Sequence, residues 1–131
     1  MQNSVVLGIG SNVSSAHVEN ALEWLGRRLD AMERSSLYVT PPVGGGSRPY
    51  VNAVASGCVH MPEGEFNMLL KDFEAGCGRD GYARSAGIVP VDIDIVVWNG
   101  DVVRPWDFAQ SFFRIGFSEL PCPPVKEQSD G

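Results

Sequence analysis

The pattern of hydrophobic positions predicts four strands along the chain. Runs of β-branched and apolar residues indicate strands over residues 5–9, 32–39 and 50–59. The fourth strand, over residues 89–98, has the clearest alternation of apolar and polar side chains. We expect its apolar face to pack against a core. That face is formed by Val91, Ile93, Ile95 and Val97.

Two other segments have the three- and four-residue spacing of amphipathic helices. The apolar positions of the first are Val18, Ala21, Leu22, Leu25 and Leu29. The second begins near Pro62, which suits the first turn of a helix, and ends near Gly76 and Gly78. Its apolar stripe consists of Phe66, Leu69, Leu70, Phe73 and Cys77.

The order of these elements predicts the fold class. Asn99-Gly100 is a strong hairpin signal, and it predicts a short return strand at Val102 and Val103. The chain therefore has the order β-α-β-β-α-β plus a C-terminal hairpin. This is the order of the α+β ferredoxin-like sandwich, in which helices cover one face of an antiparallel sheet and the other face can carry a site. We expect one folded domain over residues 1–120 and a flexible tail over residues 121–131.

Composition narrows the class of protein. The 131 residues are 44% hydrophobic, which is enough for one core, and 10 basic against 16 acidic residues give a net charge of −6. This charge disfavours nucleic-acid partners. No apolar run reaches the ~18–20 residues of a membrane helix, and a secretory signal is not recognisable. The three cysteines fit neither a zinc site nor a disulfide framework. We expect a cytoplasmic protein with small-molecule partners, either a monomer or a weak dimer.

Asp92 and Asp94 are the sharpest chemical feature. Two residues apart on a strand, they point to the same side, with Cα atoms roughly 6.5–7 Å apart. Because neighbouring carboxylates repel each other, a hard dication such as Mg²⁺ would stabilise them, and the pair could bridge two ions that clamp a phosphoryl group. An ordinary solvated sheet face has the same pattern, and the spacing by itself leaves both interpretations open.

A second candidate site follows the second predicted strand. A loop stiffened by proline begins at Thr40 and ends just before Tyr50 and Asn52, which share one strand face. An amide and a flat ring suit a planar heterocycle with alternating hydrogen-bond donors and acceptors. Ordinary turn and strand chemistry would produce the same residues.

A series of motifs in fixed order points to a known family. The motifs are Leu7-Gly8-Ile9-Gly10-Ser11-Asn12, Asn20-Ala21-Leu22, Ser35-Ser36-Leu37-Tyr38-Val39-Thr40-Pro41-Pro42-Val43-Gly44, Pro49-Tyr50-Val51-Asn52-Ala53-Val54, Leu70-Lys71-Asp72-Phe73-Glu74 with Gly78-Arg79, and Val91-Asp92-Ile93-Asp94-Ile95. In this series the chain resembles the 6-hydroxymethyl-7,8-dihydropterin pyrophosphokinase family of folate biosynthesis. The resemblance covers residues 5–120, nearly the whole predicted domain, and implies the same ferredoxin-like fold.

The resemblance implies an ATP-dependent pyrophosphokinase. Asp92 and Asp94 would hold two Mg²⁺ ions between ATP and the pterin. Arg79 resembles the first arginine of the flexible catalytic loop of the family, and Arg84 is a nearby candidate for binding the nucleotide. The catalytic set implied is therefore Arg79 with the two aspartates.

The resemblance also implies a pterin pocket. Its backbone rim would be Thr40, Pro41 and Val43, and Tyr50 would form a wall. Asn52 would bind the polar edge of the pterin. Phe112, or as a second candidate Phe113, would stack on the ring.

Departures from the family pattern affect the nucleotide end. Where the family has an Arg-Trp-Gly-Pro-Arg type segment, residues 85–90 contain no cation, and Gln110-Ser111 stand where an arginine is expected. The histidine after the aspartate strand is also missing, and of the nearby basic candidates, Arg84, Arg104 and Arg114, none aligns cleanly. Since phosphoryl transfer depends on positioned positive charge, we expect tighter binding of pterin than of ATP and slow turnover. The alternative is a catalytically degenerate relative that binds a pterin-like ligand or a protein partner.

Overall fold

A computed structural model describes residues 1–43, 46–78, 83, 85–121 and 125–126. Within these residues the strands are β1 (Asn3–Ser11), β2 (Asp30–Arg34), β3 (Tyr38–Thr40), β4 (Tyr50–Val59), β5 (Asp92–Trp98) and β6 (Asp101–Val102). The helices are α1 (Ser15–Gly26), α2 (Glu63–Gly76), α3 (Pro105–Ala109) and α4 (Ser111–Phe117). The strands form one antiparallel sheet in the order β2-β4-β1-β5-β6. The short strand β3 pairs with the beginning of β4, along the same edge of β4 as β2.

The predicted α+β ferredoxin-like fold is confirmed. β1 lies in the centre of the sheet, and alternate residues of β1 point to opposite faces. On one face the sheet packs against α1 and α2. The buried residues of this larger core include Val5, Leu7, Ile9, Val18, Leu22, Leu25, Phe66, Leu70, Val91, Ile93 and Ile95.

The single strand predicted over residues 32–39 is wrong, because the segment breaks into β2 and β3. The break is at Ser35, which is buried. The Ser35 backbone N–H donates to the carbonyl of Val54, and its side-chain hydroxyl accepts the N–H of Val54. A serine hydroxyl thus takes the place of a backbone group in the ladder, which allows the chain to change direction there.

The predicted face of Val97 is also wrong. The register of β5 against β1 shifts, so that Val6 opposes Val97 while Leu7 opposes Ile95. Val96 is the extra residue of a β-bulge, and it reverses the orientation of the side chains that follow. Val97 therefore packs in a second core on the other face of the sheet.

The apolar residues 112–120, whose element type the sequence leaves open, form α4 and its C-terminal turn on this second face. Phe113 and Leu120 pack there against Val54. A Cβ on Gly116 would lie 2.8 Å from both Val54 Cγ2 and Tyr38 Oη, so glycine allows α4 to approach the sheet closely. Because α3 and α4 are short, they leave part of this face open.

The predicted hairpin is present. Asn99 and Gly100 both have positive φ, as a type I′ turn requires, and β6 pairs with β5 through Val102, whereas Val103 lies beyond the strand. Of the predicted tail, Val125 bridges to Gly100; most of the rest lies outside the described residues. In the described part of the chain, helices long and apolar enough to span a membrane are absent.

Candidate active site

The open part of the second sheet face forms a cavity of about 360 Å³. It is bounded by the sheet, by the loop that follows β3, and by α3 with the start of α4. The residues that line it are Gly8, Ile9, Gly10, Thr40, Pro41, Val43, Tyr50, Asn52, Asp92, Asp94, Val96, Arg104, Trp106, Asp107, Phe112 and Phe113.

Two glycines of β1 form the floor of the cavity. Gly10 pairs with Asn52 on one side and with Asp92 on the other, while Gly8 pairs with Asp94. A Cβ on Gly10 would lie 3.2 Å from Asn52 Oδ1 and 3.6 Å from the ring of Tyr50. The missing side chains therefore create the space between the amide and the carboxylates.

Asn52 is held rigidly at one end of the cavity. Its side chain is buried, and its Nδ2 donates to the Thr40 hydroxyl at 2.7 Å and to the Tyr50 carbonyl oxygen at 3.3 Å. Thr40 is itself buried, so its hydroxyl orients the amide. With Nδ2 occupied by the protein, Oδ1 is the Asn52 atom that lies beside the floor at Gly10.

Aromatic side chains face this amide from α3 and α4. Phe112 and Trp106 lie with ring centroids 6.0 Å apart, and Trp106 is 58% exposed at the rim. The Tyr38 hydroxyl donates to the Phe112 carbonyl at 2.6 Å and so fixes the start of α4, and burial raises the pKa of Tyr38 to about 12. Phe113 is buried in the second core, which leaves Phe112 as the more accessible of the two rings proposed for stacking.

Asp92 and Asp94 lie at the opposite end, on the same face of β5. Their side chains are 33% and 19% exposed. Burial and, after it, the neighbouring Asp92 raise the pKa of Asp94 to about 7, although the charges of Lys71 and Arg104 act to lower it. The protein thus places two carboxylates side by side in a partly buried position, where a bound cation would favour their charged forms.

Two cations flank this carboxylate pair in the described part of the chain. Lys71 Nζ, from α2, lies 3.3 Å from Asp94 Oδ1 and 4.0 Å from Asp92 Oδ1. Arg104 lies 4.0 Å from Asp94 Oδ1 on the side of α3, and its Nε donates to Asp107 at 3.1 Å. Arg114, another basic candidate, instead stacks on aromatic rings of α3 and α4.

The segment before β5 is braced by Asn12. Its Nδ2 donates to the carbonyl of Gly87 at 2.7 Å, and its Oδ1 accepts the N–H of Val89 at 2.7 Å. The Asn12 backbone N–H also donates to the Val89 carbonyl. The motif residue Asn12 therefore holds the chain that leads to Asp92.

Most residues singled out from the sequence lie around this one cavity. They are Thr40, Pro41, Val43, Tyr50, Asn52, Asp92, Asp94 and Phe112. Arg79 and Arg84 lie outside the described residues, so their positions stay predictions. The sequence pattern predicted no role for Lys71 or Trp106. The signal for Lys71 was its three-residue spacing from Glu74 on the same helix.

The donor set fits magnesium. Among the described residues no group of three or more His, Cys, Asp and Glu side chains forms a complete metal cage. The protein therefore offers two carboxylates and leaves the remaining positions to water and substrate. This is the arrangement that Mg²⁺ accepts, since it keeps several waters and binds through one or two carboxylates plus phosphates.

Comparison with protein families assigns the chain. Its sequence matches the model of the 7,8-dihydro-6-hydroxymethylpterin-pyrophosphokinase (HPPK) family over residues 6–129. A comparison with curated proteins found no match. The family match spans nearly the whole chain, and it agrees with the antiparallel sheet and the helices described above. The chain therefore belongs to the HPPK family of ATP-dependent pyrophosphokinases in folate biosynthesis.

Proposed function

We propose that this protein transfers the pyrophosphoryl group of ATP to the hydroxymethyl oxygen of 6-hydroxymethyl-7,8-dihydropterin. The observation that carries the proposal is that one cavity has a fixed amide with aromatic walls at one end and a carboxylate pair at the other. Asn52 and Asp92 are two strands apart across Gly10, roughly 9–10 Å between Cα atoms. A bicyclic ring bound at Asn52 would present its substituent to the aspartates.

The ring end would recognise and orient the pterin. Asn52 Oδ1 would accept a hydrogen bond from the pterin edge, while Phe112 and Tyr50 would enclose the ring faces. Fixing the ring also fixes the hydroxymethyl oxygen, which gains reactivity from position alone. In the transfer this oxygen attacks the β-phosphorus, the bond from that phosphorus to the bridging oxygen of AMP breaks, and the hydroxyl proton is released.

The carboxylate end would bind the nucleotide. Asp92 and Asp94 would hold magnesium, which neutralises charge on the triphosphate and on the transferring group when it is bound. The two carboxylates lie on β5, which pairs with the central strand β1, so they would set where the phosphates can lie relative to the pterin. Arg104 contributes positive charge on the α3 side, and its bond to Asp107 limits its movement.

A second candidate function is a relative that binds pterin without turnover. The observation that favours it is the neutral segment over residues 85–90, which precedes the aspartates. Val89→Arg would add a cation there. The hydrogen bonds between residue 89 and Asn12 use the backbone of residue 89, so the substitution should keep them. We expect this variant to bind the nucleotide more tightly and to release AMP faster if the site is catalytic. A variant that stays inert while pterin binds would favour the second function.

Calorimetric titration tests the proposal directly. The parent protein is titrated with a non-hydrolysable ATP analogue, with and without Mg²⁺ and the pterin, and AMP release is then measured with ATP. We expect magnesium-dependent nucleotide binding, tighter pterin binding and slow release of AMP. Absence of pterin binding would refute both candidate functions, whereas pterin binding without nucleotide binding would leave the non-catalytic one.

A further inference from the structure

The ammonium group of Lys71 has a place at the carboxylate pair that neither pterin binding nor metal binding explains. Its Nζ donates to Asp94 Oδ1 at 3.3 Å, to Glu74 Oε2 at 2.7 Å and to the Ile93 carbonyl at 3.0 Å. Asp92 Oδ1 lies 4.0 Å away. Lys71 therefore reaches from the helix layer around the sheet edge to the face that carries the cavity.

A buried acid holds this lysine from behind. Glu74 is 3% exposed, and its Oε2 also accepts the backbone N–H of Ile93 at 3.2 Å. β6 pairs only with the far end of β5, at Val97 and Trp98, so side chains of α2 satisfy the edge at Ile93. The backbone of Ile93 needs an acceptor for its N–H, which Glu74 provides, and a donor for its carbonyl, which Lys71 provides. The additional hydrogen bond from Lys71 to Asp94 is not needed for this purpose.

The side chain has the properties of a movable charge. It is 43% exposed, so a ligand in front of the aspartates can reach it. A lysine ammonium is a compact point charge on a flexible stem, with three donors that can exchange partners. Since metal binding would neutralise Asp92 and Asp94, it would also remove their attraction for the ammonium.

We propose that Lys71 is a nucleotide-binding residue of this site. With metal held by the aspartates, the Lys71 ammonium would exchange its hydrogen bond to Asp94 for one to the phosphate oxygens of the nucleotide and keep its hydrogen bond to Glu74. It would supply positive charge that the neutral segment over residues 85–90 does not. This inference rests on the proposed pyrophosphokinase function and deepens it.

Lys71→Met and Lys71→Arg test the inference by titration with Mg²⁺ and a non-hydrolysable ATP analogue. We expect Lys71→Met to weaken nucleotide binding about tenfold or more, as loss of a hydrogen bond to a charged group does, with the pterin Kd changed less than about twofold. Lys71→Arg should recover most of the loss. The nucleotide affinity of the parent should also fall more steeply with ionic strength than that of Lys71→Met, which a purely structural role would not produce.

Two further variants make the result decisive. Because Lys71→Met leaves the Glu74 charge buried without the lysine ammonium, we expect Lys71→Met/Glu74→Gln, which removes that charge, to fold better than the single variant. Lys126→Met is the matched control, since Lys126 pairs with Asp101 on the surface, outside the cavity lining. If both Lys71→Met variants bind the nucleotide as tightly as the parent or more tightly, this inference is wrong while the proposed function stands. If the parent protein binds pterin but no nucleotide, both this inference and the proposed pyrophosphokinase function are wrong.

Discussion

The two ends of the cavity solve opposite problems. At the amide end, Asn52 and Thr40 are buried and satisfy each other, and the aromatic rings around them are uncharged. At the carboxylate end, Asp92 and Asp94 lie side by side on one strand face, with the charged groups of Lys71 and Arg104 close to them. One end is preorganised by hydrogen bonds between uncharged groups, while the other brings ionisable carboxylates together.

This difference indicates that the two ends of the site contribute separately to pterin binding and to nucleotide binding. The amide end needs no rearrangement, so little of the binding free energy of a flat ring is spent on ordering the protein. The carboxylate end gains most from a bound cation, because its charges lie in a partly buried position where Coulomb interactions are strong. We therefore expect substitutions at the two ends to have separable effects on pterin and on nucleotide.

The largest expected effect is at the carboxylate pair. Asp92→Asn and Asp94→Asn should each weaken magnesium-dependent nucleotide binding by about 100-fold, since each removes one partner of a partly buried charge interaction. Pterin binding and folding should persist, because both side chains face the cavity rather than the helix-side core. Calorimetry with each ligand measures the two effects. Asp101→Asn, at an exposed surface pair, is the control, and unchanged nucleotide affinity in the test variants would refute the metal assignment.

The next effect is at the amide end. Asn52→Ala should weaken pterin binding by roughly 1–3 kcal/mol, or about 10–100-fold in Kd, because a polar edge of the ligand would lose its partner. The nucleotide affinity measured without pterin should stay unchanged. Quenching of pterin fluorescence provides the measurement. Thr40→Val should have a smaller effect in the same direction, since it removes the hydroxyl that orients the amide.

A smaller effect is expected at the cavity floor between the two ends. Gly10→Ala would place a methyl group 3.2 Å from Asn52 Oδ1, and the crowding should weaken pterin binding about tenfold. Gly64→Ala in α2 is the matched control, since a Cβ there meets nothing within 4 Å. Equal pterin affinities of the two variants would show that the ring does not lie over Gly10.

The smallest effect concerns the support of the aromatic wall. Tyr38→Phe removes the hydrogen bond to the Phe112 carbonyl and should lower the free energy of unfolding by about 1 kcal/mol. The pKa of Tyr38 in the fold, about 12, lies above that of an unfolded tyrosine, so its contribution is complete below pH 10 and is lost as pH rises toward 12. Urea unfolding at pH 8 and 11 measures this. The difference between parent and variant should shrink at the higher pH, and a constant difference would contradict the assignment.

Local sequence periodicity was sufficient for much of this fold and for part of the site. The alternation in β5 put Asp92 and Asp94 on one face because a strand has a period of two. The same rule failed for Val97, since the bulge at Val96 arises from pairing with β1 and has no signature within β5 itself. The break at Ser35 was missed for a similar reason, because it depends on a hydroxyl bonded to Val54, far along the chain.

What the sequence by itself determined is the two long helices, most of the strands with their faces, and the residue types of the two ends of the site. Those features follow from local period, turn chemistry and motif order. The tertiary structure alone decided that α4 packs close at Gly116, that Gly8 and Gly10 become a cavity floor, and that Lys71 reaches the aspartates around a sheet edge. The physical reason is that these contacts join residues far apart in the chain, so they exist only once the helices and strands have packed.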